Sequence, residues 1–446
     1  MGKKVPSSMP VFDGDRAPRP DTDPYASVQV LGRTGKSPLS YRPGEEMVFS
    51  FEVDFGDVKP GKWSLVYERK GDDHVTFGGK APADRPLTVK TSIDRPGFVN
   101  VNAYLVDGGE NRLTKLEYRN KQAPIGFFAG AGVEIETLGD CGEPGDFDAF
   151  WDRQKKRLAL CPFRDRTRKI LEKELEDGFV YSVSIPAPGP RPATGYMTVP
   201  RGAQERSLPI LITFNGYGLL RQLPPESITP GCLHLHINAH GQELGQDDAY
   251  YEEFFKSVCT GDVGYAYDPE LNKDPGTCYF NGMVMRVLRA LEYLKTCPEW
   301  DGRNITASGN SQGGLQTMWA AALDPDVTKA TPAVTWCCDL AGAAKAGRLS
   351  SLYPIAYQPA LDYYDAVFMA KRITQAEVTI LRAGLGDYNC PPSGVAISYR
   401  NLATPDKTIR WYQGSDHGFV PKNPEIITWT TKNNLPGSSA KESEKM

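Results

Sequence analysis

A doubly wound, mostly parallel α/β sheet preceded by an all-β, immunoglobulin-like sandwich is the architecture this sequence predicts. Three observations carry it. From Ser27 to about Ile125 apolar and polar residues alternate with period two, broken by turn signals. Beyond Asp146 apolar runs alternate with helically spaced ones. Residues 309–314 then read Gly-Asn-Ser-Gln-Gly-Gly, after the apolar segment Asn304 to Ala307 and before the helix-like run Leu315 to Leu323. At 446 residues the chain is long for one domain, so two folded units with tails are expected.

Residues 1–25 are rich in Pro, Asp, Ser and Arg without periodicity and read as an extended leader. The sandwich is assigned to 26–130. Its strands are Met47 to Val53, Trp63 to Tyr67, Leu87 to Thr91 and Phe98 to Leu105. Between them stand the turns Arg42-Pro43-Gly44, Lys59-Pro60-Gly61, Arg95-Pro96-Gly97 and Asp107-Gly108-Gly109. A glycine-rich linker follows, from Gly126 through Gly130 and Gly132 to Gly145. The catalytic unit is assigned to 131–436. Asp146 is a candidate N-cap for a helix running to about Leu160. Strands are expected at Pro209 to Phe214, Leu233 to Ile237, Ile305 to Ser308, Ala333 to Trp336, Val378 to Leu381 and Thr408 to Tyr412. Met283, Val287, Ala290, Leu291 and Leu294 have helical spacing. Residues 437–446, small and charged, are expected to be disordered.

A net charge of −4 gives no reason to expect a nucleic-acid partner, and no basic run or long apolar stretch points to a membrane. Met1-Gly2-Lys3-Lys4-Val5-Pro6 lacks the apolar core of a signal peptide. The compartment stays open: cytoplasmic, or periplasmic or secreted after loss of a leader. Nine cysteines without paired spacing argue against a zinc framework, and one or two disulfides fit an oxidising compartment.

The G-x-S-x-G pattern between strand and helix is the geometry that exposes a nucleophilic hydroxyl, here Ser311. A glycine-rich turn with a capping serine is the competing reading. In the chain order of such sites the acid and then the histidine follow the serine, and of His74, His234, His236, His240 and His417 only His417 does so. Between the two, Asp387 lies on a turn after an apolar stretch, ahead of the rivals Asp339, Asp362, Asp365 and Asp416. Backbone N–H groups of Gln312 and of the Phe214-Asn215-Gly216-Tyr217-Gly218 loop would stabilise an oxyanion, a glycine turn with a packed Tyr being the competing reading of that loop. His234-x-His236-x-x-x-His240 lacks an accompanying acidic ligand and is read as strand histidines, so neither metal nor cofactor is expected.

These residues resemble the acetyl xylan esterases and cephalosporin C deacetylases of carbohydrate esterase family seven. The likeness covers roughly Glu143 to Pro421. It rests on Pro144-Gly145-Asp146-Phe147-Asp148-Ala149-Phe150-Trp151, Asn215-Gly216-Tyr217, Gly241-Gln242, Gly309 to Gly314, Gly386-Asp387 with Pro391-Pro392, and His417. The resemblance implies an α/β-hydrolase fold and metal-free removal of acetyl groups from sugars and small alcohols. It implies Ser311, Asp387 and His417 as the triad, with Tyr217 and Gln312 as oxyanion donors. Asn215 stands where the family has His, His240 where it has Arg, and Gly418 where it has Glu. The sandwich also lies outside the single-domain form, which marks a divergent two-domain relative.

The expected activity is a serine esterase deacetylating acetylated sugars or xylo-oligosaccharides. The alternatives are an α/β-hydrolase of another ester class (aryl, feruloyl or glucuronoyl) and a non-catalytic carbohydrate-binding protein. For that last reading Trp63, Tyr67 and Tyr104 would form the sugar platform. Tyr353 and Tyr357, in an aromatic stretch from Ala341 to Ile373, are candidate sugar contacts. The expected partner is an acetylated carbohydrate or other small ester, and a homo-oligomer is compatible with the sequence.

Overall fold

A computed structural model describes residues 23–117, 121–219 and 221–431. The expected tail, and the leader up to residue 22, lie outside these. Among the described residues the N-terminal part holds nine strands: β1 (Gln29–Thr34), β2 (Met47–Asp54), β3 (Ser64–Gly71), β4 (Phe77–Pro82), β5 (Leu87–Thr91), β6 (Gly97–Val106), β7 (Thr114–Glu117), β8 (Lys121–Pro124) and β9 (Gly126–Val133). They form a three-stranded sheet β1-β2-β5, a four-stranded sheet β4-β3-β6-β9 and the ribbon β7-β8, all antiparallel. Alternate residues of the strands, including Phe49, Phe51, Leu65, Val89, Val101 and Leu105, meet in one apolar cluster. Each such side chain stabilises the fold by about 1.5–3 kcal/mol on full burial.

One correction matters for the site. Residues 126–133, expected to be linker, are a strand whose every residue is buried. Their run of Gly and Ala is there because backbone approaches from outside. A Cβ on Gly130 would lie 2.0 Å from the Leu385 carbonyl oxygen. The boundary expected after residue 130 falls inside this strand.

The rest of the chain adds α1 (Phe147–Ala159), β10 (Arg168–Glu174), β11 (Gly178–Ile185), β12 (Ala193–Pro200), β13 (Leu208–Phe214), β14 (Leu233–Ile237), α2 (Asp248–Val258), α3 (Tyr279–Leu294) and β15 (Trp300–Asn310). Then come α4 (Gln312–Leu323), β16 (Lys329–Ala333), α5 (Gly342–Lys345), α6 (Ala366–Ala370), β17 (Glu377–Gly384), α7 (Pro392–Asn401), β18 (Lys407–Tyr412) and β19 (Ile426–Thr430). One mixed sheet takes the order β10-β11-β12-β14-β13-β15-β16-β17-β18-β19. Its middle, β14 to β18, is parallel, and both flanks are antiparallel. Helices α3 and α4 pack on each other and on strands of this sheet, and their side chains are buried almost all round. β10–β12 and β19 were not among the expected strands. Exposed Ile170 and Leu171 leave β10 without an inward face to read.

Two further expectations change. Asp146 stands before α1 but accepts no cap bond; its carboxylate binds Arg153 and the Tyr363 hydroxyl. The strand expected at Ala333 to Trp336 ends at Ala333, because Val334 takes φ 41° and turns the chain out of the sheet. No helix among the described residues is long and apolar enough to cross a membrane. Parallel strands end at one edge of the sheet, so the loops after β13, β15, β16, β17 and β18 gather there.

Candidate active site

Ser311 occupies the turn between β15 and α4 with φ 59° and ψ −118°, a conformation an L-residue holds only under constraint. The constraint is visible. Ser311 N–H donates to the Ala333 carbonyl (2.9 Å), and its own carbonyl accepts from Trp336 N–H (3.1 Å). The flanking glycines let helix and strand close on each other. A Cβ on Gly309 would meet the Gly313 backbone at 2.6 Å, and one on Gly313 the Phe214 carbonyl oxygen at 2.4 Å.

His417 and Asp387 come to this hydroxyl from the loops after β18 and β17. His417 Nε2 lies 3.0 Å from Ser311 Oγ, and Nδ1 lies 3.1 Å from Asp387 Oδ2. An ionised carboxylate only accepts, so Nδ1 carries the hydrogen and Nε2 is left to accept from the serine. Asp387 is buried, and its other oxygen takes two backbone N–H groups, Asn389 and Cys390, each at 2.8 Å. Burial by itself would lower the His417 pKa, but the charge and hydrogen bond of Asp387 outweigh it and raise the value above 6.5.

The loop after β13 lies against the serine: a Cβ on Gly216 would be 4.0 Å from Ser311 Cβ. Tyr217 stacks on Tyr265 with centroids 4.3 Å apart and meets Trp336 edge-on at 5.3 Å. Gln312 begins α4, where backbone N–H groups have no acceptor within the helix. Its side chain is the hub of the loop. Gln312 Oε1 accepts from the Tyr265 hydroxyl (2.7 Å), which in turn accepts from Gly218 N–H (2.8 Å). Sequence reading missed Tyr265, which carries no motif.

The three histidines of the β14 region support the same loop. Thr229 hydroxyl, His234, Thr213 Oγ1, His236 and Asn215 Oδ1 form a continuous chain of bonds of 2.7–2.8 Å. With His236 donating to the Asn215 oxygen, the chain runs in one direction, each imidazole neutral. Burial fits this by lowering His234 to about 4 and His236 in the same direction. His240 reaches the loop separately, donating from Nε2 to the Gly218 carbonyl (3.2 Å) and accepting at Nδ1 from Tyr279 (2.8 Å). Burial holds it neutral, at about 3.

The rival acids lie elsewhere. Asp339 pairs with Arg348, Asp365 caps α6 through Val367 N–H, and Asp362 accepts from the Tyr357 hydroxyl. Asp416 accepts from Gly418 and Phe419 N–H within its own turn. Tyr353 and Tyr357 line a cavity of about 350 Å³ with Trp336, Ser351 and Asn389. Tyr364 is buried in the core, and Tyr363 packs on Phe147 and Phe150. Tyr104 lies under the Arg112 guanidinium (4.0 Å), and Trp63 packs against Tyr25 and Phe55. Tyr67 meets Phe77 edge-on. All nine cysteines are free thiols. Among the described residues, one group brings metal-ligating atoms within 4.8 Å of one another: Asp387, Cys390 and His417. Two of its three members already bind each other beside Ser311.

This chain is similar to known esterases. The acetyl esterase Axe7A of Xylanibacter ruminicola is 28% identical over 280 residues, 60% of this chain and 62% of that protein. The match therefore spans less than two thirds of the relative's length. The acetyl xylan esterase of Paenibacillus sp. R4 superposes with a TM-score of 0.54 at 25% identity, covering 65% of this chain and 94% of that one. Acetyl xylan esterase 1 of Thermoanaerobacterium sp. JW/SL YS485 shares the fold, with a TM-score of 0.53 at 22% identity over 65% and 93% of the two chains. The family profile for acetyl xylan esterase (AXE1) matches residues 136–353 and 356–433, which contain Ser311, Asp387, His417 and the loop after β13. By that match the chain belongs to the acetyl xylan esterase (AXE1) family.

Proposed function

We propose that this protein is a carboxylic ester hydrolase that removes acetyl groups from acetylated sugars or xylo-oligosaccharides through an acyl-enzyme on Ser311. One observation carries the reading: the hydrogen-bonded line from Ser311 Oγ to His417 Nε2 and from Nδ1 to Asp387. In this mechanism His417 takes the hydroxyl proton as Oγ attacks the ester carbonyl. The backbone N–H groups of Tyr217 and Gln312 hold the oxyanion, and His417 returns the proton to the departing sugar alcohol. Water then attacks the acyl-enzyme by the same route in reverse, releasing acetate. No step needs a metal or organic cofactor.

Family membership supports ester hydrolysis, and the relatives named above are called acetyl esterases and acetyl xylan esterases. Tyr353 and Tyr357 are read as sugar-facing residues of the cavity beside Trp336. The N-terminal sheets, which end with β9 at Val133, are read as an immunoglobulin-like sandwich joined to the catalytic unit that follows.

The test is a substrate panel. Turnover should be highest on acetylated xylo-oligosaccharides and lower on feruloyl, glucuronoyl and long-chain aryl esters. Tyr353→Ala with Tyr357→Ala should raise the sugar-ester KM several-fold and leave a small aryl acetate unaffected. Ser311→Ala should lower every rate by roughly 10⁴–10⁶-fold. Preference for another ester would move the substrate assignment, and an active Ser311→Ala variant would remove the mechanism.

A further inference from the structure

The loops that carry Asp387 and His417 rest on the N-terminal sheet rather than on the catalytic sheet alone. Asn100 Nδ2 on β6 donates to the Leu385 carbonyl (2.8 Å), and Asn102 Nδ2 to the Gly386 carbonyl (3.2 Å). These contacts close over sequence separations of 285 and 284 residues and end immediately before Asp387. The His417 loop is held in the same way. Gln413 accepts from Gly130 N–H and donates to the Gly130 carbonyl, both at 2.9 Å, a reciprocal pair that mimics one rung of a sheet. Phe128 N–H of β9 donates to the Gly414 carbonyl at 3.3 Å.

Packing follows the polar bonds. A Cβ on Gly386 would meet the Phe128 carbonyl oxygen at 2.1 Å, and Phe127 lies where a Gly414 side chain would be. Phe98 packs on Trp411 (5.7 Å) and Phe128 on Phe419 (5.9 Å). Asp72, buried in the turn after β3, takes Leu349 N–H (2.7 Å) with one oxygen and Phe98 N–H (2.8 Å) with the other. It thereby ties the sheet to the cavity wall as well.

We propose that the N-terminal sheet is a positioning element for catalysis, with Asn100, Asn102 and Gln413 fixing the two loops that align Asp387 and His417 with Ser311. The proposal rests on the hydrolase reading above. Two strand amides, buried Asn100 and half-buried Asn102, donate to loop carbonyls, and the buried Gln413 amide of the loop pairs with both backbone groups of Gly130, which is more than apolar packing needs. Each is oriented by direction-dependent bonds, and leaving such groups unpaired when buried is costly. The catalytic loops have partners on their own side too: Arg382 donates to the His417 carbonyl (3.0 Å), and Gly386 N–H to the Ser415 carbonyl (3.1 Å). Loss of one clamp therefore loosens the loops without freeing them.

The experiment compares the full-length protein with Asn102→Ala, Gln413→Ala and Ser311→Ala on a small acetyl ester. It reads kcat, KM, the acid limb of kcat/KM and the thermal midpoint. Asn102 is half-buried, so its variant gives a folded answer even if Gln413→Ala does not fold. The expected result is a kcat lower by about 10-fold, within the range that an ångström of misplacement produces, with KM changed less than about twofold. The acid limb should move to lower pH, because His417 loses alignment with Asp387 while Arg382 and Asp416 still face it. Unchanged kcat and acid limb in folded Asn102→Ala and Gln413→Ala overturn the proposal and leave the hydrolase reading standing. Loss of activity that only tracks the unfolded fraction overturns it equally. An active Ser311→Ala variant removes both.

Discussion

The two halves of the Ser311 site are built by different means. The half that holds Ser311, the nucleophile of the proposed mechanism, is local: β15, a strained turn and α4 follow one another in the chain, and glycines at 309 and 313 permit the close approach. The proposed acid–base half is assembled from afar. Asp387 and His417 sit on separate loops, and besides bonds on their own side, such as Arg382 to the His417 carbonyl, these loops are bonded to strands near residues 100 and 130. Local geometry can expose a hydroxyl; on the proposed mechanism its activation also needs two aligned loops, and those loops are bonded to a second sheet.

Breaking the acid–base half should cost most. Asp387→Asn keeps the shape and removes the charge, so turnover should fall by roughly 10⁴-fold through loss of the correct imidazole tautomer. The same interaction sets a pH dependence whose sign follows from His417. Its pKa is raised above 6.5, and only the neutral ring accepts the serine proton, so kcat/KM should rise with pH through a value above 6.5. Stability runs the other way: this histidine's contribution is full below the unfolded pKa and is lost as pH rises through the folded one. Parallel pH profiles of activity and unfolding check both signs.

The seam between the halves gives a smaller effect. Gly386→Ala should destabilise by about 1–3 kcal/mol, since its Cβ would collide with the backbone of Phe128. Gly139, seven residues beyond Gly132 in the same glycine-rich stretch, has open space around it. Gly139→Ala should therefore stay within about 0.5 kcal/mol of the parent. Equal effects of the two in denaturant unfolding would mean the seam is not close-packed.

This difference also explains what could be read from the sequence. G-x-S-x-G declares itself because turn, strand and helix are adjacent, and chain order leads on to His417 and to Asp387. The parallel centre of the sheet was legible for the same reason: its strands, such as Leu208–Phe214, are compact apolar runs. Residues 126–133 were read as a linker because glycine is normally a breaker. There it admits a neighbouring backbone, and nothing local announces that neighbour. Asn100, Asn102, Gln413 and Tyr265 were invisible for a related reason. A lone amide or phenol acquires its role only from a partner far along the chain.

The most direct measurement of the central claim is covalent trapping. The full-length protein is treated with an aryl alkylphosphonate, from which the serine oxygen displaces the aryloxide to leave a phosphonyl adduct resembling the tetrahedral intermediate, and the modified peptide is mapped by mass spectrometry in the parent, His417→Ala and Asp387→Asn forms. The expected result is a single adduct on Ser311 in the parent, forming far more slowly in both variants. An adduct on another residue, or equal rates in all three proteins, would contradict the claim that His417 and Asp387 activate this serine.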